Sequence, residues 1–123
     1  MAKGNSPVGS WAFILGVVVA IIAGIVAGSV GLTSAVAGWV TLLLVILGLI
    51  VGFLNIGDKE VFNFLIAAIA LIAVGTANLQ TIDIVIPYLG TVLHSIVINV
   101  AVFVAPAALI VALKAIHSLA RSP

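Results

Sequence analysis

Apolar residues run along this chain in four blocks separated by short polar interruptions, and the pattern predicts four helices. Residues 11–28, 36–54, 61–77 and 96–113 carry no charge, and each block of about 17–19 residues is long enough to approach the ~30 Å hydrocarbon core of a bilayer at ~1.5 Å per residue. Lipid offers no hydrogen bonds, so each block must satisfy its own backbone as a helix. The chain is therefore expected to be all-α, an integral membrane four-helix bundle of one transmembrane domain spanning residues 1–123. A water-soluble bundle is the weaker reading, because none of the four blocks has a polar face to meet water.

The interruptions read as turns. Residues 29–35 are small, and Thr33 or Ser34 is placed to cap the second helix. In 55–60, Gly57 suits a positive φ, Asp58 suits the cap of the third helix, and Glu60 falls at the positive end of its dipole. Residues 78–88 are polar at first and then apolar up to Pro87, a residue suited to the first turn of a helix. A helix from 87 to 119 would be roughly 50 Å long, so residues 84–94 are left open between an interfacial segment, a re-entrant one and part of the last helix. Pro106 removes a backbone bond within that helix, and a kink near it is expected.

Composition narrows the function classes. Hydrophobic residues make up 65% of the chain and charged residues 6%, against ~25% charged in ordinary soluble domains. A net charge of +1 gives no basic stripe for nucleic acid. The absence of cysteine excludes disulfides, thiolate nucleophiles and thiolate metal sites. The few charges carry topology: with four passes, Lys3, Lys59, Lys114 and Arg121 all fall on one side, while Asp83 lies on the other. Cations are retained inside, so both termini are expected in the cytoplasm, the protein lying in the cell membrane. Lys3, the first apolar block and Ala35-Val36-Ala37 imitate a cleavable signal peptide, but the block is long for one and is expected to stay as the first helix. Trp11, Phe53, Phe62 and Phe64 then gather near the inner boundary, and Trp39 and Tyr88 near the outer.

Candidate packing residues follow from size. Ala12, Gly16, Ala20, Gly24 and Gly28 recur every fourth position, Gly48 and Gly52 do so with Thr41 and Asn55 on nearly the same face, and Asn63, Ala67, Ala70 and Ala77 align on the third helix. Such residues let membrane helices approach closely, within a chain or between chains. Ser95, Asn99, Pro106 and His117 share one face of the last helix, and Asn99 is the strongly polar side chain deep in a span. It is expected to turn into a bundle and bond across helices, with a pore-lining or substrate-contacting role as the sharper alternative. His94 and His117 lie more than ~30 Å apart on a straight helix and cannot share a metal. No metal or other cofactor is expected. His94 and Asp83 make a possible pH-sensitive pair, although a solvated interface explains both.

No span holds a carboxylate, which argues against proton-coupled rotors and exporters. Nucleophile–base pairs and phosphate loops are also missing, so no catalytic residue is expected. Residues 25–32 align with 72–79, a faint repeat consistent with duplicated hairpins.

The stretch from Gly52 to Glu60, with Val104-Ala105-Pro106-Ala107-Ala108 and Leu113-Lys114-Ala115-Ile116, is similar to small uncharacterised multi-pass membrane proteins of archaea and some bacteria. The resemblance implies a prokaryotic membrane protein and carries over no activity or site. The expected role is structural or in assembly, with membrane lipid as partner and lateral packing as a homo-oligomer or a subunit of a larger complex. The alternatives are an oligomeric channel lined by the Asn99 face and, by analogy alone, a holin-like membrane-lesion protein.

Overall fold

The computed structural model describes residues 7–54 and 56–121, without the side chains of Pro7, Val8 and Asp58. Lys3 and Asn55 lie outside the described residues, as does the capping role expected of the Asp58 side chain. The chain forms α1 (Pro7–Ser29), α2 (Ser34–Leu54), α3 (Val61–Val74) and α4 (Leu89–Arg121), with 3-10 turns at Asp58–Glu60 and Leu79–Ile84. No strand occurs among the described residues. Three of the helices, α1, α2 and α4, are long and apolar enough to cross a membrane.

Local chemistry sets the helix ends. Thr33 caps α2, its hydroxyl accepting the Val36 N–H at 3.2 Å. Gly31 takes φ +95° after α1, where its N–H and that of Val30 both reach the Val26 carbonyl. Gly57, expected at positive φ, is instead extended at φ −82°. Its N–H is taken by the Glu60 carboxylate at 2.8 Å, which starts the 3-10 turn leading into α3.

Two boundaries differ from those expected. α3 stops at Val74 rather than at 77, because Thr76 and Ala77 bond three residues back and the Thr76 hydroxyl takes the Ala73 carbonyl. Its 14 residues make a helix of roughly 21 Å. α4 begins at Leu89 and passes through Pro106 as one 33-residue helix of roughly 50 Å. Residues 89–94 thus belong to the last helix, and 85–88 form the non-helical lead into it. Pro106 has no N–H to offer the Val102 carbonyl, yet the helix does not break there.

α4 is the hub. It touches α1, α2, α3 and the 79–84 turn; α1 also touches α2, while among the described residues α3 runs beside no helix but α4. Neighbours fix the directions. Gly16, Gly24 and Gly28 lie beside Phe103, Ile96 and Val92, so α1 and α4 are antiparallel. Gly48 and Gly52 lie beside Phe103 and Ala107, so α2 and α4 are parallel. Pro7, Leu54, Val61 and Arg121 therefore share one end of the bundle, and Ser29, Ser34, Val74 and Leu89 the other.

The core centres on Phe103, Leu44, Val51 and Val111, all less than 2% exposed. Outside it the surface is strongly apolar, with Trp11, Trp39, Phe62 and Ile69 each about 70% exposed. Water would penalise such a surface heavily and lipid would not.

Candidate functional site

The small residues of α1 and α2 make two seams on α4. A side chain at Gly16 would overlap the Phe103 ring, one at Gly24 the Ile96 backbone, and one at Gly48 the Phe103 carbonyl. At Gly28 a Cβ would come 2.6 Å from the Val92 Cα, and at Gly52 one would come 2.9 Å from the Ala107 carbonyl. Ala20 is fully buried on the same α1 face. These six residues are used within the chain: they bring the backbones together where larger side chains would hold them apart. Ala67 and Ala70 are placed differently. Both are exposed, and the residue that α3 buries is Ala68. Half-buried Phe64 also reaches the edge of the core from α3.

Asn99 does not bond across helices. Its side-chain N–H donates to the Ser95 carbonyl one turn back on α4 at 2.8 Å. That bond satisfies the amide locally and leaves its remaining capacity facing a cleft of about 410 Å³, where Thr41 of α2 and Ala27 of α1 form the opposite walls. The cleft exists because α2 packs mainly through its second half: its buried residues begin at Leu44, and in the first half Val40 is packed against the core only in part. Asn99 therefore looks between the helices of its own chain.

The described ionisable side chains that make hydrogen bonds sit at helix ends. Asp83 holds the start of α4, accepting the Thr91 N–H at 3.1 Å and the Thr91 hydroxyl. The Thr91 hydroxyl is the main reason its carboxyl titrates below the usual value; burial opposes this, and the N–H groups of Thr91 and Gly90 add to the lowering. The clasp is close-fitting, since a side chain at Gly90 would overlap the Leu79 carbonyl. It also holds Tyr88 at φ +72°, a left-handed conformation costly for a bulky residue. At the other end, the Lys114 ammonium donates to the Gly52 carbonyl at 3.1 Å. Gly52 is one of the last four residues of α2, so a cation here meets both an unpaired carbonyl and the negative end of a dipole.

His94 has no bond to Asp83; its Nδ1 is buried without a partner. Among the described residues no cluster of three or more His, Asp or Glu is arranged to hold a metal. Sequence reasoning missed both clasps. The signal for Asp83 was the Gly90-Thr91 pair opening a helix eight residues on, whereas a backbone carbonyl as the partner of Lys114 leaves no sequence signal. No family model, curated protein or solved structure matches the chain.

Proposed function

We propose that this chain is a non-enzymatic four-pass protein of the cell membrane, with both termini cytoplasmic, whose role is structural: it associates laterally in the bilayer. The observation that carries the reading is the contrast between the seams and α3. The glycines of α1 and α2 are spent inside the chain, while α3 rests on one helix and leaves Ala67, Ala70 and Ala73 exposed among Ile66, Ile69 and Ile72. Lipid tails solvate isoleucine well, so the gain from covering that surface comes from close packing, which small residues permit. Another copy of the chain, or a membrane partner, is the suitable cover.

Four passes rather than three are supported by the end-to-end placement of the elements. α3 is short, but residues 75–77 after it carry no charge and extend its path toward the far end of the bundle, while the charged Asp58–Glu60 turn marks its near boundary. In this topology Trp11 and Phe53 mark one boundary and Trp39 and Tyr88 the other, where amphipathic rings settle. Asn99 faces a cleft within its own chain, which lends no support to an axis shared between copies.

The absence of native cysteine makes the tests clean. Cysteines at Gly57 and Gln80 should label from opposite sides of intact cells; same-side labelling would sink the four-pass topology. Cysteine at Ala67 or Ala70 should cross-link copies or partners in native membranes, while one at Trp39 should not. If both α3 variants stay uncross-linked and the protein counts as a single copy in liposomes, the lateral-association reading fails.

A further inference from the structure

The final turns of α4 combine three features. Lys114, His117, Ser118 and Arg121 fall within an arc of roughly 100° on a helix of 3.6 residues per turn, and the opposite side carries Leu113, Ile116 and Leu119, all more than half exposed. Beneath the polar arc lies a cleft of about 380 Å³ between α4 and the start of α3, lined by Val61, Lys114, Ala115, Ser118 and Leu119. Depth supplies the third. The charged Asp58–Glu60 turn ends where Val61 begins, and Val61 lines this cleft with Lys114 and Ser118, so Lys114 and the turn after it fall where apolar chain gives way to headgroup. The apolar side then lies against acyl chains while the basic side meets phosphates.

From this we infer that the cleft between α3 and the end of α4 binds an anionic phospholipid, its phosphate held by Lys114, Ser118 and Arg121 and its chains lying along Leu119 and Val61. The inference rests on the membrane topology proposed above. Charge complementarity selects the occupant. Lys59, Lys114 and Arg121 lie at this end of the bundle with Asp58 and Glu60, a surplus of one cation, and the Glu60 carboxylate is turned to the Gly57 N–H beside it. The Lys114–Gly52 bond aims the ammonium without exhausting it, since an ammonium has three donors. A basic residue near a membrane surface raises affinity for anionic lipid roughly fivefold.

The test uses the whole protein in liposomes with nitroxide-labelled phosphatidylglycerol or phosphatidylcholine, and reads the protein-bound lipid fraction by electron paramagnetic resonance. Wild type should prefer phosphatidylglycerol by more than roughly fivefold, and S118A/R121Q should lower the ratio roughly fivefold, leaving the share carried by Lys114. S118A/R121Q alters exposed residues and leaves the Lys114 bond to α2 in place, so loss of preference is separable from misfolding. D83N, at the opposite end, should keep the wild-type ratio. Equal binding of both lipids by an inserted wild-type protein overturns the site alone; failure to insert into either lipid overturns the topology with it. If excess inorganic phosphate abolishes the preference, the free anion is the ligand and the lipid assignment falls. Should S118A/R121Q lower stability equally in both lipids with the ratio unchanged, these groups serve only the α4 dipole and the assignment falls as well.

Discussion

α1 and α3 both run antiparallel to α4, and both are almost wholly apolar, yet one is sunk into the bundle and the other leans on it. α1 buries Ala12, Gly16, Ala20, Ala23, Gly24 and Gly28, whereas α3 buries Ala68. Polarity does not make the difference, because neither helix has a polar side to turn away. Size does. A track of small residues every fourth position lets α1 approach the α4 backbone along its length, while the alanines of α3 are scattered around the helix and offer no continuous track. Even the helix ends are alike: Ser29, the last residue of α1, and Thr76, just past α3, matched in the faint repeat, each turn a hydroxyl onto a carbonyl of that helix.

The sharpest way to break this contrast is to fill the track. Gly24→Leu should cost about 3 kcal/mol or more, because the obstruction is the Ile96 backbone rather than a movable side chain. Ala70→Leu on exposed α3 should stay within about 0.5 kcal/mol for the single chain, whatever it does to lateral association. Both are read from unfolding in mixed micelles of mild and denaturing detergent. Next is Phe103→Ala, which should cost about 2–4 kcal/mol through the cavity it leaves at the junction of α1, α2 and α4. Ala68→Leu should cost about 1–2 kcal/mol and release α3 alone; spin-label distances between α3 and α4 should lengthen while those between α1 and α4 hold.

Smaller effects belong to the clasps. Lys114→Met should cost about 1 kcal/mol by removing the donor at the α2 terminus, again measured by detergent unfolding. Asp83 has its folded pKa lowered, so its contribution is fully present above the ordinary value of 3.8 and is lost as pH falls through the lowered one. A nitroxide at Val85 should therefore gain mobility upon acidification below that value. Asp83→Asn should be mobile already at neutral pH and lose the pH dependence.

What was readable in the sequence follows the same division. Three long apolar helices, the Thr33 cap and the glycine tracks of α1 and α2 are legible because helix length and backbone approach depend on residue type alone. The buried side of α3 is not, since Ala67, Ala68, Ala70 and Ala73 cover several directions and no polar residue points away from the core. Asn99 was misread for a related reason: a helix always offers a carbonyl one turn back, and Ser95 supplies it before another helix can. Resonances between distant elements, such as Lys114 with Gly52, depend on how α2 and α4 come together and on nothing near either residue in sequence.

The junction at Phe103 also has a geometric consequence. A track with a period of four is nearly unchanged when α1 slides along α4 by one helical turn, so small residues alone would allow several alignments of almost equal quality. The Phe103 ring rests over Gly16, and one turn of sliding in either direction would put Ala12 or Ala20 beneath it instead. Each brings a methyl group where the ring has displaced even a Cβ. One aromatic side chain thus converts a repetitive rail into a single stop.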